Sequence, residues 1–372
     1  MAHDGPARTV RTDLGILAGW AKAVLEVAGA SPEAAAATAE ACVEANRKGF
    51  DSHGIVYLPL YLARLRAGLV DGGAMPEVVA ELPSLALVDG HFAPGAFVGR
   101  RAIDWCCERA ETQGIAAAVT RNSSHFGPAS YYSELAAAKG CLGMVLSNAD
   151  PGLGPDGALA AVLGTNPLAI AAPAPGVAGL DGSDRVGPSL DMATSKVAQG
   201  KVSEAARRGE TIPGDWALGR DGLPTTDPVE ALANCLLPAG GYKGFGLAFM
   251  IDVLTACLAG GVISPELQGE RGVSQLFVAI KVGALSSRES YDSRLGKLMQ
   301  AVHGAARREG TAPFLVPGER EALVAASRED SIDLDAASLR LLEASGADWG
   351  VPFPYAVEPE QPEQMPAPGR VR

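Results

Sequence analysis

The sequence predicts an α+β protein in which a helical domain built from both chain ends flanks a central domain that contains a sheet. Helix-forming residues dominate residues 12–68 and the region beyond residue 286, whereas short apolar runs bounded by Gly, Asn, Asp and Pro fill the centre. A regular alternation of strands and helices is missing, which weakens the prediction of a doubly wound parallel sheet. The predicted divisions are 1–75 and 287–350 for the two parts of the helical domain, 76–286 for the central domain and 351–372 for a Pro- and Glu-rich tail expected to be disordered.

The N-terminal part is predicted to be helical over residues 12–48, with a second helix over 57–68. Ser31 is a typical N-cap, and Pro32 after it suits a first helical turn. Gly68 is a typical residue to end the second helix.

The central region is predicted to contain buried strands separated by helices. The strands are LALVDG (85–90), AAAVTR (116–121), GMVLSN (143–148), LAIAAP (168–173) and LFVAIKV (276–282), the last strand of the chain. The helices are 95–113, 129–139 and 195–208, with a further helix near 332–346. The apolar segment 244–263 is predicted to be a buried core helix rather than a membrane span, because Asp252 lies in its middle.

Charge and cysteine content exclude several classes of function. The 372 residues carry a formal net charge of −12, which argues against binding to nucleic acid or to anionic membranes. The six cysteines form no C-x-x-C pair and have no histidine at metal-ligand spacing, so we predict buried free thiols and no metal site. The N-terminal residues MAHDGPARTV lack the apolar core of a secretory signal, and we expect a cytoplasmic protein.

The segment GLGPDG at 152–157 matches the glycine pattern of a Rossmann dinucleotide-binding loop, but its context does not. Pro155 removes one of the backbone N–H groups that would face a pyrophosphate. The acidic residue expected at the end of a second strand is replaced by LAIAAPAP. We therefore interpret this segment as a loop.

His53 lies in a polar, glycine-flanked segment, FDSHGIVYLPLY, which is a poor context for a core residue. It could act as a general acid that protonates an oxygen or nitrogen while hydride reaches the adjacent carbon. In a hydrolase, Ser52 would instead be the nucleophile, but the G-x-S-x-G elbow is absent because Phe50 stands at its first glycine. A purely structural histidine in the turn between two helices remains the third alternative.

Two further segments could bind an anion or an amide. His125 follows Asn122, Ser123 and Ser124, a cluster that offers several hydrogen bonds, although it could equally be a polar helix start. GGYKGFG at 240–246 places Lys243 among glycines at the start of an apolar helix. The alternative there is a glycine-rich turn with a solvated lysine.

Six motifs, found in one order, resemble the type-2 malate/L-lactate dehydrogenase family. That family also includes ureidoglycolate dehydrogenase, diketogulonate reductase, sulfolactate dehydrogenase and cyclic-imine carboxylate reductases. The resemblance covers roughly residues 12–345. The motifs are DSHG (51–54), NSSHFG (122–127), LGTNPLAIAAP (163–173), LDMATS (190–195), GYKGFGLA (241–248) and VPGERE (316–321).

The resemblance implies a nicotinamide-dependent oxidoreductase without a Rossmann fold. The NAD(P)-binding domain, 76–286, would carry a largely antiparallel sheet, and the protein would form a homodimer with its site near the subunit interface. The cofactor would be NAD or NADP, between which the sequence does not choose. The substrate would be a small molecule.

The resemblance also implies roles for individual residues. His53 resembles the proton donor of the family, with Ser52 beside it. Gly318 and Glu319 match a late loop that closes over the nucleotide. The complete set of implied cofactor-binding residues is His125, Phe126, Gly127, Thr165, Asp191, Met192, Lys243, Gly318 and Glu319.

Three departures from the family pattern bear on the site. Tyr57 stands where most members have an arginine that binds the substrate carboxylate, so a 2-oxo acid should bind poorly unless another cation, such as Arg64, replaces it. Lys201 stands where some relatives have an acid that partners the catalytic histidine, which leaves the partner of His53 open. PDGA at 155–158 also replaces a frequent PWGG.

These features predict an NAD(P)H-dependent reductase of a C=O or C=N bond, with the proton supplied by His53. Tyr57 points to a substrate other than malate or lactate. One alternative is a malate- or lactate-type 2-hydroxy acid dehydrogenase with a relocated carboxylate clamp. A second is a non-catalytic homologue that binds a cofactor or a partner.

Overall fold

A computed structural model describes residues 9–178, 184–269 and 271–354, and the fold is α+β as predicted. Residues 10–13 and 331–334, from the N-terminal and C-terminal parts of the chain, pair in a two-stranded antiparallel sheet. Most of the predicted tail, residues 355–372, lies outside the described residues. The domain boundaries themselves remain predictions.

The helical part is built around residues from both chain ends. Strand β1 (Val10–Asp13) pairs with β11 (Ser331–Leu334). The side chains of Leu17, Leu58 and Leu342 are fully buried in one cluster. This cluster includes residues of α1 (Leu14–Val27), α2 (Pro32–Arg47), α3 (Leu58–Arg66) and α11 (Ala336–Asp348), and also Phe97 and Val98 of the central part.

The central part contains a seven-stranded, mostly antiparallel sheet. In spatial order its strands are β2 (Glu77–Leu82), β3 (Leu85–Asp89), β4 (Ile115–Ser123), β10 (Val273–Lys281), β5 (Cys141–Ser147), β6 (Leu168–Ala178) and β7 (Asp184–Met192). Only the β3–β4 pair is parallel. Helices α4 (Gly95–Gln113) and α5 (Ala129–Ala138) contribute to a core with the sheet, in which Tyr132 and Phe277 are fully buried.

The remaining elements form a smaller layer and the C-terminal helices. They are α6 (Gln199–Arg208), β8 (Ala217–Leu218), α7 (Pro228–Ala233), β9 (Cys235–Leu236), α8 (Tyr242–Asp252), α9 (Arg288–His303) and α10 (Glu319–Arg328). Strands β8 and β9 pair with each other. A π-helical turn, Val253–Cys257, continues α8.

The GLGPDG segment lies in the connection between β5 and β6, and β6 runs antiparallel to β5. Leu153 is fully buried, forms bridges to Leu163 and Leu236, and is therefore held by sheet-like contacts rather than by a following helix. A Cβ at Gly154 would lie 2.8 Å from that of Ala158, so a close approach within the loop requires this glycine.

Several element predictions were wrong in detail. The helix predicted at 195–208 begins only at Gln199, because Ser195 is engaged in a bridge to Pro238 and donates its hydroxyl to the Val197 carbonyl. The region 12–48 is interrupted between α1 and α2 and starts within β1. Strand β10 is not the last strand, because β11 precedes the final helix.

The segment 244–263 is not a buried core helix, although Asp252 is buried as a central residue should be. Leu247, Phe249, Met250 and Leu258 are exposed, with Phe249 at 52% and Leu258 at 58% of their full accessibility. One face of α8 and its π-helical continuation is therefore apolar and uncovered in the single chain. Within the described residues, no helix is long and apolar enough to cross a membrane.

The cysteine prediction is confirmed for five of the six residues. All six are free thiols, but Cys257 is exposed on the π-helical turn. Burial raises the pKa of Cys42 to about 12, so this thiol stays protonated at physiological pH.

Candidate active site

The turn that carries His53 is anchored from two sides. Asn46, buried near the end of α2, donates from Nδ2 to Asp51 Oδ1 at 2.8 Å. Arg328, at the end of α10, pairs with both oxygens of Asp51 at 2.7 and 2.8 Å. A side chain at Gly54 would overlap the Asn46 amide, so only glycine fits there. These contacts hold the DSHG turn in one geometry.

Ser52 orients the imidazole of His53. Its Oγ lies 3.0 Å from His53 Nδ1. Helix α6 begins against this serine, since a Cβ at Gly200 would lie 2.9 Å from the Ser52 Cβ. Lys201 follows and is exposed. Helix α6 therefore packs against Ser52, whereas the neighbouring His53 is only partly buried.

His53 and three other rings form one cluster. The ring centroids of Tyr57 and His125 are 4.5 Å apart at an interplanar angle of 23°. His53 lies 5.7 Å from His125 and 6.3 Å from Tyr57, in stacked orientations. Tyr61 completes the cluster, 5.2 Å from Tyr57. The structure thus brings together two of the predicted motifs, DSHG and NSSHFG, with Tyr57 between them.

Hydrogen bonds to His125 define its tautomer. Gly127 N–H donates to His125 Nδ1 at 3.4 Å, which requires Nδ1 to be an acceptor. Tyr61 Oη lies 2.7 Å from the same nitrogen and can donate to it. A neutral His125 therefore carries its proton on Nε2 and is a hydrogen-bond donor there.

Asp191, near the end of β7, contacts the first turn of α5 and interacts electrostatically with His53. Its Oδ2 accepts the Ser130 N–H at 2.8 Å. The protein packed around the carboxylate raises the pKa of Asp191, and the Ser130 hydrogen bonds, His53 and Lys48 act against that rise. Asp191 thus supplies a negative charge near His53, which Lys201 does not.

The predicted late loop approaches β7 closely. Gly318 has a φ of +89°, and a Cβ there would lie 2.9 Å from the backbone N and O of Ser189. Ser189 N–H donates to the Pro317 carbonyl at 2.9 Å. Glu319 accepts the Val316 N–H at 2.8 Å and pairs with His303 at 2.9 Å, so its carboxylate stabilises the loop.

Thr165 and the LDMATS segment are joined by backbone contacts. The Thr165 carbonyl accepts the N–H and the hydroxyl of Thr194, at 2.9 and 3.0 Å. A side chain at Gly244 would overlap the Thr194 carbonyl, so the start of α8 packs directly on this segment. Met192 is partly buried and Lys243 is exposed. Three predicted motifs therefore meet here.

Phe126 differs from the other predicted cofactor residues. Its ring is 3% exposed and stacks on Tyr132 at 4.9 Å, with Phe277 packed edge-on. The ring belongs to the core of the sheet domain. Any contact of this residue with a ligand would have to come from its main chain.

Two neighbouring cavities lie beside these residues. The smaller, about 160 Å³, is lined by Phe50, Ser130, Asp191 and Pro317 among others. The larger, about 1010 Å³, lies between α1, α2, α5, β7 and α10. The residues that line both are Glu134, Ser189, Gly318 and Glu321.

The cavities are large enough to hold an extended dinucleotide. Small-molecule sites typically have roughly 300–1,000 Å³, and the larger cavity alone reaches that upper limit. Of the predicted cofactor residues, Asp191 lines the smaller cavity and Gly318 lines both. The others line neither cavity; they are His125, Phe126, Gly127, Thr165, Met192, Lys243 and Glu319.

Three residues of this region were not identified from the sequence. Tyr61 lies four residues after Tyr57, one helical turn away, and that spacing could have indicated it. Lys48 and Glu134 form an ion pair between α2 and α5 at the larger cavity. Because Lys48 and Glu134 are 86 positions apart, no local sequence pattern could have indicated that they pair.

Comparison with known proteins agrees with the predicted family. The family model described as malate/L-lactate dehydrogenase matches residues 14–343. The L-sulfolactate dehydrogenase of Methanocaldococcus jannaschii is 36% identical over 318 residues, covering 84% of this chain and 89% of that protein. The (2R)-3-sulfolactate dehydrogenase (NADP(+)) of Chromohalobacter salexigens is 35% identical over 333 residues, covering 87% and 94%.

Two further relatives act on other substrate types according to their names. Ureidoglycolate dehydrogenase (NAD(+)) of Escherichia coli O157:H7 is 33% identical over 299 residues, covering 78% of this chain and 83% of that protein. The crystal structure of Δ1-piperideine-2-carboxylate reductase from Pseudomonas syringae matches with a TM-score of 0.79 and 31% identity, covering 91% of this chain and 99% of that chain.

The fold and the arrangement of the motifs are those of an oxidoreductase. The chain belongs to the malate/L-lactate dehydrogenase family. The prediction that it is an enzyme, a dehydrogenase acting on a small molecule, is thereby confirmed.

Proposed function

We propose that the protein is an NAD(P)H-dependent reductase of a C=O or C=N bond, in which His53 donates the proton. The observation that carries this proposal is the placement of His53. Ser52 holds its Nδ1 at 3.0 Å, and Tyr57 and His125 flank it. An imidazole is suited to proton donation near neutral pH.

His53, Asp191 and His125 have different roles in the proposed reduction. When bound, a reduced nicotinamide supplies the hydride. His53 delivers a proton to the substrate oxygen or nitrogen, and Asp191 favours the protonated imidazole through its negative charge. His125 donates from Nε2 and thereby orients the polar atom of the substrate.

Tyr57 supports a substrate other than malate or lactate. Its neutral hydroxyl replaces a guanidinium that would hold a carboxylate with charge-assisted hydrogen bonds. Such bonds contribute about 1.5–3 kcal/mol each. The ring instead stacks on His125, which favours a flat or cyclic substrate such as a cyclic imine or a specialised ketone. A relative with this fold is named as a reductase of a cyclic imine carboxylate.

The cofactor is NAD or NADP in this proposal, since relatives with either name are similar to the chain. It would be held by the central domain, 76–286. Main-chain groups at Phe126 and Gly127 would contact it, together with His125, Thr165, Asp191, Met192, Lys243, Gly318 and Glu319.

The protein is proposed to act as a homodimer in the cytoplasm. The exposed apolar face of α8, with Leu247, Phe249, Met250 and Leu258, is suited to pairing with a second copy. Sedimentation of the wild type against Phe249→Asp tests this. A monomeric wild type would refute the dimer.

The test of the function is a screen of ketones and cyclic imines for loss of nicotinamide absorbance. With a substrate found, His53→Ala should lower kcat by about 10²–10⁴-fold while cofactor binding persists. His91→Ala is the control, because His91 pairs with Glu77 of β2 and lies outside the ring cluster. Unchanged turnover in His53→Ala would refute the assignment of the proton donor.

Tyr57→Arg separates this proposal from a malate- or lactate-type dehydrogenase with a relocated clamp. If the tyrosine sets the substrate class, the arginine should improve kcat/KM for 2-oxo acids roughly tenfold to a hundredfold. If kcat/KM does not rise with any 2-oxo acid, the absence of this arginine does not set the substrate class. Failure to bind either cofactor would favour a non-catalytic homologue.

A further inference from the structure

The larger cavity has a distinctive set of charges. Its lining contains twice as many acidic as basic residues. The basic residues are Lys22, Arg47 and Lys48, and the acidic ones are Glu40, Glu44, Glu134, Glu321, Glu329 and Asp330.

Each basic residue of this lining is paired with a carboxylate. Lys22 Nζ lies 3.4 Å from a Glu26 oxygen. Arg47 binds Glu44 through two nitrogens, with Nε at 2.7 Å and Nη2 at 2.5 Å. Among the described residues that line the cavity, no basic side chain is therefore left without an acidic partner.

Lys48 is the most firmly engaged of the three. It pairs with Glu134 and lies 3.2 Å from Glu44. The Lys48 and Glu134 side chains are only 13% and 12% exposed, so water screens their attraction little. Burial lowers the pKa of Lys48, and Glu44 opposes that shift. Glu44 keeps a lowered pKa despite burial because Arg47 and Lys48 favour its charged form.

The path from the reaction site leads into this cavity. The smaller cavity lies at Asp191, which interacts with His53, and it shares Glu134, Ser189 and Gly318 with the larger one. A dinucleotide with its nicotinamide near His53 would therefore have its adenosine end between α2, α5 and α10. This placement rests on the proposed function.

We propose that the larger cavity selects NAD(H) over NADP(H). A phosphate on the adenosine ribose carries a charge of about −1.5 to −2 and requires a cation that is free to bind it. The lining offers carboxylates instead, which repel a phosphate and accept hydrogen bonds from a ribose hydroxyl. Glu134 already accepts such a bond, from the Ser189 hydroxyl at 2.7 Å.

The test is calorimetric titration of the full chain with NADH and with NADPH at low and at physiological salt. We expect NADH to bind at least tenfold more tightly, with a gap that narrows as salt screens the repulsion. Equal or tighter binding of NADPH would overturn the selectivity while leaving the proposed function intact. Binding of neither would overturn the proposed function itself.

Glu134→Gln tests the charge directly. The amide keeps an acceptor for Ser189 but removes one negative charge from Lys48, so the NADH/NADPH affinity ratio should fall roughly tenfold. Glu204→Gln is the control, because Glu204 pairs with Arg208 on the exposed face of α6 and does not line the cavity. Glu321→Gln, which removes a lining charge without touching the Lys48 pair, should shift the ratio in the same direction. If the NADH/NADPH affinity ratio is unchanged in both Glu134→Gln and Glu321→Gln, the inference is refuted.

Discussion

Gly318→Ala would test whether the late loop forms part of the cofactor site. The residue has a φ of +89°, and its new Cβ would lie 2.9 Å from two backbone atoms of Ser189, where ordinary contact begins at 3.4 Å. The loop or β7 must therefore move by about half an ångström, at a typical overpacking cost of about 1–3 kcal/mol.

Cofactor affinity should fall as a result. If the late loop of the variant relaxes away from Ser189 in the free protein, cofactor binding has to bring the loop back to its strained position. A cost of about 1–3 kcal/mol then corresponds to roughly 5- to 150-fold weaker binding. The assay is titration with NADH, together with thermal unfolding to report the change in stability.

Gly310→Ala is the matched control. Gly310 also has a left-handed conformation, with a φ of +78°, but no atom lies within 4 Å of the position of its Cβ. Both variants carry the strain of alanine at positive φ, about 1–2 kcal/mol, and only one approaches Ser189. Equal cofactor affinities in the two variants would mean that the loop does not contribute to the site.

Three further outcomes follow from the site. Tyr61→Phe removes the 2.7 Å contact to His125 Nδ1, and kcat/KM should fall roughly two- to tenfold, for about 0.5–1.5 kcal/mol of hydrogen-bond energy; an unchanged value would refute the role of Tyr61. Asp191 has a pKa raised above 3.8 in the folded state, so the folded protein binds more protons than the unfolded one just above that pH, and stability falls as pH rises through this window. Asp191→Asn should therefore raise the melting temperature at neutral pH, converge with the wild type at acid pH and slow the reduction; a lower melting temperature at neutral pH would contradict this. Asn46→Ala removes one donor to Asp51 Oδ1 and the acceptor of the buried Ile55 N–H, and it should destabilise the protein by about 1–3 kcal/mol, measured by urea unfolding; a change within error would mean that Arg328 alone holds the turn.

The main strands and helices could be predicted because their signals are local. The run AAAVTR lies within β4, and the helix predicted at 95–113 matches α4 to the residue. Strands β1 and β11 carry no such signal. Each has four residues and pairs with a partner more than 300 positions away, so only the folded chain reveals them.

The sequence did not show which side of α8 packs against the rest of the chain. The residues of α8 are apolar around most of the helix, which indicates removal from water but not by which surface. The structure shows Ile251 buried within the chain and Phe249 exposed. Periodicity does not distinguish packing within a chain from packing between chains.

The candidate site divides in a similar way. His53 and His125 could be singled out because they stand in polar, glycine-flanked segments, whereas Gly318 was implied only by the resemblance of VPGERE to a family motif. The Lys48–Glu134 pair arises from the packing of α2 against α5, and the tautomer of His125 from the position of Tyr61. Such contacts depend on tertiary geometry and leave no mark on the surrounding sequence.

The pairing of β1 with β11 has a consequence for synthesis on the ribosome. Val10 finds its partner only when Leu334 has emerged from the exit tunnel, so β1 stays unpaired until most of the chain is translated. The sheet, from β2 to β10, can form during that interval. We therefore expect β1 to reach its native contacts after the sheet, although it precedes every strand of the sheet in the sequence.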